Sequence, residues 1–162
     1  MVNNPAAVNL YVILGEANMR KSSVMRCLSG VDRKNVYKIQ HANGTIKDTF
    51  VRITSLQETD CTESEFVTYV TQKVKKHYDD ILICLRINGL IHPKSKRQLH
   101  RAEDYINHFR SIGWNFTRIV DFQDSNNPVQ LGSITPTLTL PDTHIHSANY
   151  TASLVRSHFN WI

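Results

Sequence analysis

Long apolar runs are missing from this sequence. None approaches the roughly 18 residues that a membrane-crossing helix needs, so no membrane span is expected. Cysteine is equally sparse: Cys27, Cys61 and Cys84 are odd in number and widely spaced. They indicate neither a disulfide framework nor a zinc site, and a reducing, cytoplasmic setting is expected. Met1 to Pro5 lack the charged start of a signal peptide. Nor do basic and aromatic residues interleave as they do in single-strand nucleic-acid binders. Charge of neither sign dominates, but 19 Lys+Arg against 14 Asp+Glu leave a net of +5. That balance favours anionic partners without choosing among nucleotides, nucleic acids and acidic proteins. At 162 residues the chain suits one α/β domain with a proper core, and residues 1–162 are read as that single domain.

What is present is organised around Gly15-Glu16-Ala17-Asn18-Met19-Arg20-Lys21-Ser22-Ser23. An apolar run, Val8 to Leu14, precedes it, and Val24 to Ser29 reads as a short helix closed by Gly30. Strand, loop and helix in that order form the context of a phosphate-binding loop, where successive backbone N–H groups and a helix N-terminus converge on one anion. In the pattern G-x-x-x-x-G-K-[ST], Gly15 supplies the opening turn, Lys21 reaches the outer phosphates and Ser22 holds magnesium. Arg20 stands where that pattern has glycine.

The wider string Gly15 to Gly30 resembles the first motif of P-loop GTPases of the translation-factor type, with Gly15, Asn18, Lys21, Ser22, Ser23 and Gly30 in matching places. The resemblance implies a three-layer P-loop NTPase-like α/β domain with a mostly parallel sheet and one antiparallel hairpin. It also implies a nucleotide, GTP or ATP, with Mg²⁺, its phosphates held by Gly15, Asn18, Arg20, Lys21, Ser22 and Ser23. Departures accompany it. Only Val31 to Lys34 separate the first helix from the hairpin, too few for a switch segment carrying a metal-binding threonine, and no Asp-x-x-Gly follows the third strand. Weak or absent nucleoside triphosphate hydrolysis is therefore expected.

Along the rest of the chain, Asn43-Gly44 between two strand-like runs signals a hairpin. A two-residue turn there pairs Tyr37 with Phe50 and Ile39 with Asp48. Asp60 and Glu63 read as a capping box for a helix from Cys61 to Tyr78, leaving Glu58 as a candidate metal partner beside Ser22. Ile81 to Ile87 reads as a central parallel strand. Arg86, at its C-terminal end, either faces the phosphate crevice or emerges into solvent. Ser95 and Gln98 read as the capping box of a helix that buries Leu99, Ala102, Ile106 and Phe109 and ends at Gly113. Lys94, Lys96, Arg97 and Arg101 near that helix start oppose its dipole; they read as a site for nucleic acid or an acidic protein, or as a solvated face.

Trp114 to Phe122 reads as a further strand. Asp124, just past it, matches the aspartate that reads the guanine ring in the resembled family, and is equally a turn residue before Ser125-Asn126-Asn127-Pro128. Residues 128–146 read as irregular or an edge strand, and 147–160 as a C-terminal helix docked through Tyr150, Leu154, Val155 and Phe159. His144 and His146 have metal-ligand spacing but no evident third ligand, and read as a surface pair. Three functions stay open: a nucleotide-binding P-loop protein; a non-enzymatic interaction module with a degenerate loop; and a small kinase using Arg86 and the 94–101 cluster as a lid, which the Asn43-Gly44 hairpin disfavours.

Overall fold

A segment apolar at every position, as Leu10 to Leu14 is, has no face to offer water and must be covered on both sides. In the computed structural model, which describes residues 8–30 and 33–162, it forms the centre of β1 (Asn9–Gly15), and Leu10, Val12, Ile13 and Leu14 are wholly shut off from solvent. β1 lies between β4 (Asp80–Leu85) and β7 (Asn115–Gln123), parallel to both. Beyond β4 come β3 (Ile46–Val51), parallel to it, and β2 (Asn35–Gln40), antiparallel to β3. Beyond β7 lies β8 (Leu138–Pro141), parallel to β7. The six-stranded sheet runs β2-β3-β4-β1-β7-β8, mostly parallel, with the hairpin on one side.

Helices cover both faces. α1 (Lys21–Ser29) and α4 (Ala148–Phe159) pack Val24, Met25, Leu28, Val155 and Phe159 against Tyr11, Ile13, Leu82 and Cys84. α2 (Glu63–Thr68) and α3 (Ala102–Ser111) pack Phe66, Tyr105, Ile106 and Phe109 against Leu10, Val12, Leu14, Ile81 and Ile83. This division positions the site. The chain leaving β1 goes to the α1 face, whereas β4 leads to α3 and β7 leads to a segment whose Ile134 packs in the α2–α3 cluster. Chains that part to opposite faces leave a crevice at the C-terminal ends of the strands between them. Gly15 and Arg86 both sit at that edge.

Several local expectations are corrected. The hairpin loop has three residues, Ala42 to Gly44, closed by Gly44 N–H to the His41 carbonyl with Gly44 at φ 86°. The register therefore shifts by one, and Tyr37 faces Thr49, Val36 faces Phe50 and Lys38 faces Asp48. The capping box of α2 is Thr62 with Glu65, not Asp60 with Glu63; Asp60 has φ 55° and ends the preceding 3-10 turn. α2 continues as a π-turn, Tyr69–Lys73, and stops there rather than at Tyr78. The β-branched residues Val67, Thr68, Val70 and Thr71 are weak helix formers. Tyr78 folds back, fully buried, with its hydroxyl donating to the Val70 carbonyl at 2.9 Å.

Ser95 and Gln98 cap nothing. Residues 90–99 instead form a short antiparallel pair, β5 (Leu90–Ile91) with β6 (Gln98–Leu99), and α3 begins at Ala102 without a side-chain cap. In α4 the buried positions are Thr151, Ala152, Val155 and Phe159, while Tyr150 and Leu154 are exposed, so the helix is rotated from the expected face. Among the described residues, no helix is long and apolar enough to cross a membrane.

Phe66 joins the α2–α3 side together, its ring within 6.3 Å of Phe50, 5.8 Å of Phe109 and 6.2 Å of Trp114, centroid to centroid. Phe66→Ala is expected to destabilise the fold by about 3–5 kcal/mol in urea unfolding, through lost burial and an unfilled cavity. A loss near zero would mean that this layer is not the packed core described.

Candidate phosphate-loop site

The loop from Gly15 to Arg20 joins the central strand to α1. Gly15 stands at a close approach: a Cβ there would lie 3.2 Å from the Phe122 Cβ, tighter than ordinary contact, and 3.4 Å from the Lys21 side chain. Asn18 and Arg20 adopt left-handed torsions, φ 64° and 62°. Arg20 thus has a backbone conformation that glycine adopts without a Cβ penalty. Alternation of torsions of this kind turns successive N–H groups toward one side. The start of α1 has no side-chain cap and no acidic residue in its first turn, so no side chain of that turn offsets its N-terminal dipole.

Lys21 is 5% exposed and folds back over the loop. Its Nζ donates to the Glu16 carbonyl at 2.7 Å and lies 3.9 Å from Glu58 Oε1. Burial lowers the pKa of this ammonium below its ordinary value, and the nearby Glu58 charge opposes that shift. Ser22 Oγ donates to the Ile53 carbonyl at 3.4 Å, a long contact that leaves its lone pairs unspent. Ser23 is exposed. The hydroxyl of Ser22 and the carboxylate of Glu58 are hard oxygen donors of the type Mg²⁺ takes, and Glu58 reaches this part of the loop through Lys21.

Two residues missed by sequence reasoning hold the loop to the sheet. Glu16 accepts from Arg86 Nε at 2.9 Å and from the Asn88 N–H at 2.6 Å. Gln57, fully buried, donates to the Arg86 carbonyl at 2.7 Å and accepts from its N–H at 3.1 Å, extending the ladder past the end of β4. Arg86 is therefore tied to the loop through Glu16. The available signal was a carboxylate at the second loop position with an arginine ending a buried strand. Gln57, distant in sequence, left none.

On its other flank the loop meets the connection between β8 and α4. Arg20 Nε donates to the His144 carbonyl at 3.0 Å, and the buried Thr143 hydroxyl donates to the Met19 carbonyl at 2.9 Å. Asp124 sits in a turn, accepting from the Asn126 N–H at 2.9 Å and from Asn127 Nδ2 at 3.2 Å; these contacts hold its carboxyl below the usual range. It does share the neighbourhood of the loop, since Asp124, Asp142 and His144 bring one potential ligand atom each within 4.8 Å of one another. His144 thus has carboxylate neighbours that its sequence surroundings did not reveal. His146 is not part of that group.

The 94–101 cations do not form one free patch. Arg97 donates to Asp60 at 2.9 Å and to both Glu65 oxygens at 2.7 and 2.9 Å, and Arg101 donates to the Gln130 carbonyl at 3.2 Å. Lys94 and Lys96 are exposed. Lys94, Lys96 and Arg97 lie in the β5–β6 hairpin and do not oppose a helix dipole, whereas Arg101, the N-cap residue of α3, does.

No known protein family, curated protein or solved structure matches the chain.

Two expectations follow from this geometry. A β-branched side chain tolerates left-handed torsions worst, so Arg20→Val is expected to be less stable than Arg20→Gly by about 1–2 kcal/mol in denaturant unfolding. Equal stabilities would mean that position 20 is not left-handed. Separately, hydrogen bonds from Arg97, then the Thr62 N–H, pull Glu65 from its ordinary 4.5 to about 2. A depressed carboxylate stabilises the fold above its unfolded pKa and loses that contribution as pH falls through the folded one. Between pH 4.5 and about 2, Arg97→Gln should therefore lose stability less steeply than the parent chain. Parallel acid limbs would remove this pair from the pH response.

Proposed function

We propose that this chain is a nucleotide-binding protein of the P-loop type, working in a reducing, cytoplasmic setting, with weak or absent hydrolysis. The observation that carries the reading is the uncapped N-terminus of α1, preceded by a loop with left-handed Asn18 and Arg20, at the end of the central strand. Such a terminus is an anion site by construction, because N–H groups and dipole favour the same charge. Three free cysteines support the setting.

In this reading the phosphates lie against the Gly15–Ser23 backbone, and Lys21 exchanges the Glu16 carbonyl for a phosphate oxygen. Exchange keeps the buried ammonium hydrogen-bonded throughout. Arg86 keeps its bond to Glu16 and acts as a brace. Ser22, with Glu58 nearby, would hold Mg²⁺, which supplies charge neutralisation at the phosphates. Asp124 accepts from a guanine edge if the base lies toward the β7 turn, which makes GTP the first nucleotide to try and ATP the second. Hydrolysis needs a positioned water; the neighbouring Gln57 amide is already spent on the Arg86 backbone.

A second reading has its own observation. With Lys21 bonded to the Glu16 carbonyl and paired with Glu58, its ammonium is satisfied without any ligand. A degenerate loop in an interaction module would look the same, its partner then being nucleic acid or an acidic protein. Calorimetry with GTP and ATP, with and without Mg²⁺, separates the two. Lys21→Ala is expected to weaken nucleotide binding about ten- to a hundredfold, the worth of one charge-assisted hydrogen bond. If the parent chain binds neither nucleotide at millimolar concentration, the interaction module stands. If both nucleotides bind and Asp124→Asn changes neither affinity, Asp124 is a turn residue only.

A further inference from the structure

A second cluster of cations lies on the far side of Ser22, and the loop does not use it. Arg26 on the outer face of α1, Lys34 just before β2 and Arg52 just past β3 line one cleft of about 350 Å³ with Ile53, Thr54 and Thr59. Among the described residues, no carboxylate lines the cleft and none of the three cations belongs to an ion pair. Like charges brought to one concavity repel unless an anion lies between them.

Two of the cations are also held in place. The Arg52 guanidinium lies 5.9 Å from the centre of the Phe66 ring and donates from Nη2 to the Thr59 hydroxyl at 2.6 Å and from Nη1 to Cys61 Sγ at 3.7 Å. Lys34 Nζ stands 4.5 Å over the Tyr69 ring. Contacts to ring faces restrain a cation without neutralising it. Arg52 has five N–H donors, and these bonds leave others for a ligand.

We infer that this cleft binds the phosphate group of a phosphorylated small molecule. The fork of Arg52 suits a phosphate by geometry, Arg26 and Lys34 complete its charge balance, and the hydroxyl of Thr54 adds a polar group at the wall. A cleft of about 350 Å³ has room for one phosphate and a body the size of a sugar. Ile53 is shared: it lines the cleft, while its carbonyl accepts from Ser22. The site therefore abuts the phosphate loop, yet its residues are different and its occupancy does not depend on nucleotide binding there.

Amide and arginine side-chain NMR shifts of the full chain, titrated with inorganic phosphate and with ribose 5-phosphate, test the assignment. Saturable shifts are expected at Arg26, Lys34, Arg52 and Thr54, distinct from any at Gly15 to Ser23. Arg26→Gln and Lys34→Gln change exposed residues and should each weaken the cleft response about tenfold while the folded spectrum persists. Arg52→Lys should weaken it too, because the forked donor is lost while the charge stays. Shifts confined to residues 15–23, or cleft shifts unaffected by either glutamine substitution, would overturn the assignment. So would a short single-stranded oligonucleotide that shifts the cleft with steep salt dependence where both small phosphates fail, since the phosphate source would then be nucleic acid.

Discussion

Burial of β1 between two parallel neighbours is the constraint on which the other parts depend. Its apolar residues alternate between two separate cores, Tyr11 and Ile13 facing α1 and α4, Leu10, Val12 and Leu14 facing α2 and α3. Each helix layer is therefore anchored to the same strand. A shift of β1 along β4 or β7 by one residue would exchange the two sets and expose neither core to its proper partners. That rigidity is also what fixes the loop, because Gly15 is still within the ladder, opposite Phe122, and the next residues must turn at once.

The turn is made with unusual residues. Asn tolerates left-handed torsions through its short polar side chain, but arginine gains nothing comparable, and a conformation of this kind costs on the order of 1 kcal/mol. The surroundings offset it: Thr143 and the His144 carbonyl grip Met19 and Arg20 from one side, Glu16 is bound to Arg86 and Asn88 on the other. The loop is thus clamped at both shoulders by segments that themselves belong to the C-terminal edge of the sheet. Clamping of this sort is what preorganisation requires, since a ligand need not then order the backbone that receives it.

Much of this could be read from the chain. Val8 to Leu14, Ile81 to Ile87 and Trp114 to Phe122 announce buried strands by their unbroken or nearly unbroken apolar character, and Gly30 and Gly44 mark real left-handed positions. Errors fell where two local patterns competed. Asp60-x-x-Glu63 and Thr62-x-x-Glu65 both satisfy a capping box, but Asp60 takes φ 55° at the end of the 3-10 turn while Thr62 has the extended torsions of a cap. Ser95-x-x-Gln98 imitates a helix start, but Leu90 and Leu99 pair across a hairpin instead. The braces of the site, Glu16 with Arg86 and Gln57 with the Arg86 backbone, join residues far apart in sequence. No periodicity encodes such contacts; they exist only once the sheet has formed.

The position of β1 also bears on how the chain comes to be folded at all. Its ladder partners begin at Asp80 and Asn115, so the central strand has no neighbour among the residues made just after it. Among the described residues, the β2–β3 hairpin is the one part of the main sheet that closes through local pairing. Long-range parallel pairing is slow, because loop closure precedes any gain from contact. During synthesis, a nascent chain ending before Asp80 carries its most hydrophobic strand with both edges open, in the state most prone to join another chain. Leu10 to Leu14 then stays without a ladder partner until β4 has been made.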